Sequence, residues 1–204
     1  MSAGTPTVAQ RDDDIDFTPP GPAMTLADFH ALPDDPDVER MLIRGRLWEK
    51  PMTKRTRSHA FLESRVAYLL WTWAEQQPAP RPRVYSGEIG CDLPGLETGL
   101  GIDVAVVSAE LEATLSEREK YIVGAPTLVV EILSPSDRVE EINAKLDDYL
   151  AAGVPLIWIV DPFRRTIVQH RPNAEPEMFT GKDEISCDPH LSGFRMTVGD
   201  LFGR

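Results

Sequence analysis

The stretch from residue 126 to residue 162 constrains the fold of this 204-residue chain more than any other feature. It opens with an aliphatic and β-branched run, residues 127–133, whose length and flanking prolines predict a buried strand. A helix is predicted over residues 139–152, and a second buried strand over residues 156–160. Apolar residues at helical spacing predict the stripe by which this helix packs: Val139, Ile142, Leu146, Tyr149 and Leu150. The stretch therefore predicts a strand, helix, strand crossover.

A single carboxylate interrupts each of two predicted buried strands. Glu131 lies within the run 127–133, and Asp103 lies within a second short apolar run, residues 102–107. An ionised carboxylate is costly in a strand covered on both faces unless a cation or hydrogen bonds compensate its charge. On adjacent strands the two acids would repel each other, and one would take up a proton unless a cation lay between them. The alternative is that each acid only caps a strand end or meets an arginine.

These acids favour a hard divalent cation, because carboxylates without a cluster of cysteines and histidines suit Mg²⁺ or Mn²⁺ better than zinc. Lys145 supplies a third charged group. It stands three residues after Ile142 and four before Tyr149, so it flanks the predicted apolar stripe. The alternative for Lys145 is that its ammonium extends along the helix to water.

The rest of the chain predicts one domain. A chain of this length with 42% hydrophobic residues can bury a substantial core. We expect residues 1–23, which are acidic and rich in proline, to form a flexible leader, and residues 24–204 to form the domain. Local patterns predict a strand hairpin over 38–48 with its turn at Arg44-Gly45, a helix over 58–76 capped by Ser58, a strand over 83–93, a glycine-rich turn over 94–101 and an outer strand over 166–171.

Charge is distributed unevenly along the chain. The formal net charge of -12 argues against indiscriminate binding of polyanions. Residues 40–57 nevertheless hold seven basic residues and one acidic residue. We expect the basic loop in this segment to contact the nucleic acid backbone through Lys50, Lys54, Arg55 and Arg57. The alternative is a solvated hairpin.

Two further residues are secondary candidates for the site. His59 lies in the first turn of the helix predicted over 58–76, where unpaired N–H groups and the helix dipole attract anions. The alternative is that His59 only packs or lies on the surface. Glu88, in the strand predicted over 83–93, is a second-tier acid.

The compartment follows from the cysteines and the N-terminus. Cys91 and Cys187 are too few and too far apart to suggest a disulfide framework or a zinc site. No signal-peptide pattern and no apolar stretch of membrane-spanning length is present. We therefore expect a soluble cytoplasmic protein that does not associate with membranes.

Four segments resemble a known family. The segments are GIDVAVV (101–107), PTLVVEILSPSDR (126–138), AKLDDYLAAGVP (144–155) and IWIVDP (157–162). They are similar to the Uma-two family of restriction-endonuclease-like proteins, a branch of the PD-(D/E)XK nuclease superfamily, over residues 26–202. The resemblance implies an α/β (α+β) domain in which a central mixed β-sheet is flanked by helices. It also implies an acidic pair that binds Mg²⁺ and a lysine that helps to position or activate the attacking water.

Carried over residue by residue, the resemblance makes Asp103 the acid of the PD element and Glu131 the acid of the (D/E)XK element. It adds the backbone carbonyl of Ile132 as a metal ligand and pairs Tyr149 with Lys145. Two positions depart from the family's pattern: Ile102 stands where proline is expected, and Leu133 where lysine is expected. The resemblance implies that Lys145 replaces the missing lysine.

The sequence therefore predicts a Mg²⁺-dependent or Mn²⁺-dependent DNA endonuclease that hydrolyses phosphodiester bonds through Asp103, Glu131 and Lys145. A homodimer is inferred from function, because cutting both strands of a duplex needs two sites. One alternative is a catalytically silent nuclease fold that acts as a binding or interaction module. Another is a metal-dependent hydrolase of a different phosphate ester.

Overall fold

The computed structural model describes residues 21–116 and 118–203. Most of the predicted leader, residues 1–20, lies outside the described residues. From Gly21 onward the chain is paired with the domain: the Gly21 N–H donates to the Leu47 carbonyl at 2.8 Å, and Ala23 forms a β-bridge with Arg46. Two residues at the end of the predicted leader therefore pair with residues 46 and 47.

The described chain forms a mixed sheet with helices on both faces. The helices are α1 (Leu26–His30), α2 (Arg57–Ala74), α3 (Ala109–Glu112), α4 (Val139–Ala151) and α5 (Val198–Phe202). The strands are β1 (Val38–Ile43), β2 (Arg46–Pro51), β3 (Arg83–Leu93), β4 (Thr98–Val107), β5 (Ile122–Val123), β6 (Leu128–Ile132), β7 (Leu156–Asp161), β8 (Thr166–His170), β9 (Glu177–Thr180), β10 (Glu184–Ser186) and β11 (Arg195–Thr197).

The main sheet has the strand order β2-β1-β4-β6-β7-β8-β9, with β3 paired to β4 and β5 paired to β3. The pairs β6–β7 and β3–β5 are parallel, and the other pairs of this sheet are antiparallel. Strand β6, helix α4 and strand β7 form the predicted crossover. The predicted α/β class and mixed sheet are confirmed.

Strand β4 lies at a fork in the sheet. One of its edges pairs with β3 along nearly its whole length. On the other edge Gly99 pairs with Leu42 of β1, and pairing with β6 begins only at Val104. Between these two contacts β1 and β6 diverge, which leaves a gap beside Gly101 and Asp103.

A bulge in β3 lies opposite the same gap. Ser86 faces Val104 and Ile89 faces Ile102, so Gly87 and Glu88 together oppose the single residue Asp103. Both bulge residues have positive φ, 89° at Gly87 and 56° at Glu88. The inside-outside alternation of β4 changes at this point, since Ile102 packs in one core and Val104 in the other. Bulges of this kind re-aim a side chain, here that of Asp103.

Two hydrophobic cores cover the two faces of the sheet. On one face Leu62, Val66 and Leu70 of α2 pack against the central strands. On the other face Tyr149 of α4 packs with residues that include Val129 of β6. Helices thus flank the sheet as predicted, and the alternation of β6 directs Glu131, like Val129, toward α4.

Several local predictions need correction. Val139 is 70% exposed, so it does not belong to the buried face of α4. Tyr149 of the predicted stripe is fully buried, and Leu146 and Leu150 pack against the same core while partly exposed. The stripe did not include Glu141, Lys145 and Asp148, which are buried as well. Three charged side chains are buried there because each finds a partner on the sheet side. Helix α2 is capped by Thr56 rather than Ser58, and the glycine-rich segment joins β4 from Thr98 on.

The predicted hairpin is confirmed, since β1 and β2 meet at Arg44 and Gly45, both with positive φ as a tight hairpin turn requires. None of the helices in the described ranges is both long enough and apolar enough to cross a bilayer.

Candidate active site

Glu131 lies on β6 with its carboxylate enclosed by two donors from α4. The ammonium of Lys145 donates to Oε2 at 3.0 Å, and the hydroxyl of Tyr149 donates to Oε1 at 2.5 Å. Burial raises the pKa of Glu131 above its ordinary value, and the opposing effects of Lys145 and Tyr149 do not fully offset it. The carboxylate is thus held in place by hydrogen bonds that favour its ionised form.

Asp103 lies at the fork, where β6 has not yet begun to pair. Its Oδ2 accepts the backbone N–H of Ile132 at 2.7 Å, which satisfies a donor that has no backbone partner on β4. The same oxygen lies 3.3 Å from Nε2 of His59. Burial alone would raise the pKa of Asp103, but His59, the Ile132 N–H and Lys145 together lower it below its ordinary value. Asp103 therefore stays a carboxylate.

Lys145 reaches into the gap between the diverging strands. Its ammonium donates to the carbonyl of Gly101 at 3.2 Å as well as to Glu131. Burial alone would lower the pKa of Lys145, but the charge and hydrogen bond of Glu131 raise it above its ordinary value. An ammonium from α4 therefore lies beside Glu131, although the position two residues after Glu131 is Leu133.

Asp103, Glu131 and Lys145 line one cavity of about 20 Å³, together with Ile132. This volume is close to that of a single water molecule or small ion. Six carboxylates line the cavity, those of Glu39, Glu88, Asp103, Glu131, Asp137 and Glu141. Three basic side chains face them, those of Lys50, Arg55 and Lys145. The formal excess of three negative charges makes the cavity attractive to a cation and repulsive to a lone phosphate.

The structure divides the basic residues predicted to contact nucleic acid. Lys50 lies 2.7 Å from Glu141 and 3.2 Å from Glu39, and although burial lowers its pKa, these carboxylates raise it above the ordinary value. Arg55 forms an ion pair with Glu88 of the bulge. Lys54 and Arg57 are exposed. Two of the four therefore organise the rim of the cavity, and two point to solvent.

His59 is 1% exposed and stands between two carboxylates. Its Nε2 faces Asp103, and its Nδ1 lies 3.8 Å from Oε2 of Glu63, one turn further along α2. Burial lowers the pKa of His59, but the neighbouring carboxylates, Asp103 above all, outweigh burial and raise it. The structure thus brings His59 to the acidic pair, away from the surface.

The model of the Uma2 family, described as "Putative restriction endonuclease", matches residues 26–199. The chain belongs to the Uma2 family. The Uma2 chain also resembles a solved structure described as a "putative nuclease belonging to DUF820 from Anabaena variabilis ATCC 29413", with a TM-score of 0.74 and 22% sequence identity. The likeness covers 88% of this chain and 97% of that one, and it shows a shared nuclease-like fold. No curated protein matches the chain.

Three polar residues around this Uma2 site were not predicted from the sequence. Glu63 follows His59 by four residues on α2, and this spacing on a helix was a usable signal. Glu141 anchors Lys50, and Asp148 accepts Arg44 Nε and Thr98 Oγ1, each at 2.6 Å. The contact of Glu141 with Lys50 joins residues 91 positions apart, and those of Asp148 with Arg44 and Thr98 join residues 104 and 50 positions apart, so no local pattern reveals them.

Proposed function

We propose that this Uma2-family chain is a metal-dependent DNA endonuclease, in which Asp103 and Glu131 hold Mg²⁺ or Mn²⁺ and Lys145 assists phosphodiester hydrolysis. One observation carries the proposal: two buried carboxylates and one buried ammonium line a single ion-sized cavity that holds an excess of negative charge. The family and the nuclease-like fold support the same reading.

The donor set fits a hard cation. Carboxylate oxygens are the protein ligands that Mg²⁺ and Mn²⁺ prefer. Each carboxylate oxygen of Glu131 accepts one hydrogen bond, from Lys145 or from Tyr149. A carboxylate oxygen has two lone pairs, so each keeps one that can bind a cation. The Ile132 carbonyl remains a further proposed ligand. When bound, the cation polarises the phosphate and lowers the pKa of a bound water.

The chain's own residues have separable tasks in this proposal. Lys145 places a positive charge beside the phosphate and stabilises the negative charge that develops as water attacks phosphorus and the ester oxygen leaves. Tyr149 fixes the carboxylate of Glu131, and the Ile132 N–H fixes that of Asp103. Each positioning bond is made by a residue with little rotational freedom, which preorganises the site.

Contacts with the DNA backbone are proposed for the basic loop. Lys54 and Arg57 are exposed beside the site. Neither forms an ion pair with another of the described residues, so both can approach phosphates without losing a partner. Lys50 and Arg55 would have to exchange an internal partner for a phosphate. Backbone contacts of this kind give affinity without sequence choice. Lys54→Gln and Arg57→Gln are therefore expected to weaken DNA binding similarly for all sequences.

The test is cleavage of supercoiled plasmid with Mg²⁺. Glu131→Gln keeps the size of the side chain but removes a charged ligand, and we expect cleavage to fall at least about 100-fold. Glu177→Gln, the same change on exposed β9, serves as the matched control and should cleave like the wild type. Equal cleavage by Glu131→Gln and the wild type would exclude Glu131 as a ligand of the essential metal.

Product analysis tests the proposed homodimer. A dimer with two sites converts supercoiled plasmid to linear product in one encounter, whereas a monomer accumulates nicked circles first. Sedimentation of the same samples gives the oligomeric state. Accumulation of nicked circles by a monomeric species would contradict the homodimer, while leaving the endonuclease proposal intact.

A silent binding module is the second candidate, because both oxygens of Glu131 already receive hydrogen bonds from the chain itself. Calorimetry separates the two candidates, since an endonuclease site must bind Mg²⁺ and a silent module need not. Absence of Mg²⁺ binding together with retained DNA binding would favour the module. Parallel assays with RNA and with simple phosphate esters test the substrate class.

A further inference from the structure

A second, larger cavity lies directly beside the small one that holds Glu131. This side pocket is lined by residues of α1, β1, β3 and β4 and by Tyr121, and its volume of about 300 Å³ is at the lower end of the range typical of ligand pockets. The two cavities share the lining residues Glu39, Glu88, Gly101 and Lys145. A small group bound in the side pocket would therefore lie next to the phosphate that the smaller cavity is proposed to receive.

Three aromatic rings form one wall of the side pocket. The rings of His30 and Tyr121 are stacked, with their centroids 4.4 Å apart and their planes 15° apart, and the ring of Phe29 adjoins that of His30 at 5.4 Å. Asp92 orients the imidazole, because its Oδ2 lies 2.8 Å from Nε2 of His30. Tyr121 is 37% exposed, so the wall remains accessible. Aromatic side chains of this kind are platforms on which nucleobases stack.

Gly90 of β3 makes room for this wall. The φ of Gly90 is not positive, so the backbone conformation does not require glycine at this position. A Cβ there would lie 2.3 Å from Cδ1 of Tyr121, which is far inside van der Waals contact. At Gly95, in contrast, a Cβ would meet no atom of the described residues within 4 Å. The glycine at position 90 therefore allows the Tyr121 ring to approach the strand.

The charges of the side pocket favour a neutral ligand. It is lined by three carboxylates and two cations, those of Glu39, Glu88, Asp92, Arg40 and Lys145. Each of the carboxylates already lies within ion-pair distance of a histidine, lysine or arginine. The described lining residues have no excess of positive charge that would hold a phosphate. An aromatic wall without such an excess suits an uncharged planar ring, and a nucleobase is a ring of this kind.

We infer that the side pocket takes one unpaired nucleobase of a DNA strand, stacked against the wall of Phe29, His30 and Tyr121. The inference rests on the proposed function, because it places this base beside the phosphate to be hydrolysed. A base within a duplex is stacked and paired, so it must leave the helix to enter a pocket. This step costs least for a mismatched, bulged or single-stranded base. The substrate class that follows is DNA with unpaired nucleotides.

The competing explanation is that the aromatic wall only holds α1 against the sheet. In that case the loss of Tyr121 lowers stability, or it weakens the binding of every DNA by the same factor. A base bound in the side pocket instead predicts a loss confined to DNA that offers an unpaired base.

The experiment measures the binding of the full-length protein to three DNA duplexes by fluorescence anisotropy. One duplex is fully paired, one carries a single bulged nucleotide, and one carries an abasic residue at the bulge. Ca²⁺ replaces Mg²⁺, because it binds the same oxygen ligands at longer distances. We expect the wild type to bind the bulged duplex most tightly. In Tyr121→Ala the affinity for this duplex should fall about 5-fold to 150-fold, the range for the loss of one base–aromatic stack.

Matched variants locate the effect. Tyr68→Ala is the control for Tyr121→Ala, because Tyr68 is 56% exposed on α2 and lies outside the side pocket, so this variant should bind all three duplexes like the wild type. Gly90→Ala should displace the Tyr121 ring and weaken binding of the bulged duplex in the same way. Gly95→Ala should leave binding unchanged. Thermal unfolding of each variant shows whether it is folded.

The outcomes separate this inference from the proposed function. Equal losses on all three duplexes in Tyr121→Ala, or a wild type that does not prefer the bulged duplex, would overturn the inference, whether or not the protein cuts plasmid. Nucleoside monophosphates that bind through Tyr121, while no duplex responds to Tyr121→Ala, would assign the pocket to a free nucleotide and overturn it as well. A bulged duplex that is bound through Tyr121 but never cut with Mg²⁺ would overturn the proposed function and leave the side pocket standing. Cleavage next to the bulge, lost in Tyr121→Ala, supports both.

Discussion

The ammonium of Lys145 lies 3.0 Å from Oε2 of Glu131, and both side chains are about nine-tenths covered by protein. Removing one member of such a pair leaves a buried charge, which costs about 3–5 kcal/mol, whereas replacing both by apolar groups costs far less. We expect Lys145→Met to lower the free energy of unfolding by about 3 kcal/mol. The double variant Lys145→Met with Glu131→Leu should recover part of this loss, as measured by urea denaturation.

Lys182→Met is the control for the Lys145 and Glu131 variants. Lys182 is exposed, so the same substitution there should change the free energy of unfolding by less than about 0.5 kcal/mol. Strict additivity of the two site substitutions would mean that Lys145 and Glu131 do not act as a pair.

Tyr149 gives a prediction about pH. Burial raises the pKa of Glu131, and the hydroxyl of Tyr149, 2.5 Å from Oε1, opposes that rise by stabilising the carboxylate. In Tyr149→Phe the pKa of Glu131 should therefore rise further. Since only the carboxylate binds a cation well, the acid limb of the cleavage profile should move to higher pH. At alkaline pH, where Glu131 is ionised in both proteins, the rates should converge.

Tyr85→Phe provides a matched control for the pH profile. The hydroxyl of Tyr85 donates to Glu112 at 2.8 Å, but both residues lie outside the cavity that holds Glu131. This variant should have the same acid limb of the pH–cleavage profile as the wild type. If the acid limb does not move in Tyr149→Phe, the hydroxyl of Tyr149 does not govern the ionisation of Glu131.

Arg44 and Arg46 flank the same hairpin turn but should differ in their effect on stability. Both arginine side chains are exposed, but only Arg44 donates to a fully buried carboxylate, that of Asp148, at 2.6 Å. Arg44→Gln removes the charge that compensates this carboxylate, and because solvent screens the exposed guanidinium we expect a loss of about 1 kcal/mol. Arg46→Gln should cost less than about 0.5 kcal/mol. Thermal and urea unfolding of the two variants side by side tests this, and equal losses would contradict the role of Asp148.

The parts of the fold that the sequence predicted are those with local signals. The apolar run around Glu131, the helix after it and the strand ending at Asp161 each carry their own periodicity, so β6, α4 and β7 were recognisable. The meeting of Glu131 with Lys145 was predictable by the same logic, because a crossover helix packs on the strand that precedes it. The hairpin at Arg44 and Gly45 was visible from its turn residues.

The remaining features depend on long-range pairing. The bulge at Gly87 and Glu88 acts on Asp103 across the sheet, and nothing in the sequence near either residue specifies that register. Apolar periodicity wrongly places Val139 on the buried face of α4. It also misses the three buried charges on that helix, because their partners are brought by β2, by β6 and by the turn at Arg44. Propensity and periodicity are local signals, so they cannot predict a buried charge whose partner lies about 100 residues away in the sequence.

Both cysteines should be protected from thiol reagents in the folded protein. Cys91 and Cys187 are completely buried, and burial raises the pKa of each thiol to about 12. At pH 8 only about one thiol in ten thousand is then ionised, and the thiolate is the reactive form. We expect slow labelling of the native protein and rapid labelling of two thiols per chain in guanidinium chloride. Ser136→Cys adds an exposed thiol as the control and should label at once. Because a raised pKa suppresses the thiolate below that value, native labelling should accelerate as pH rises. Fast labelling of the wild type at pH 8 would mean that the packing around Cys91 or Cys187 opens far more often than their burial indicates.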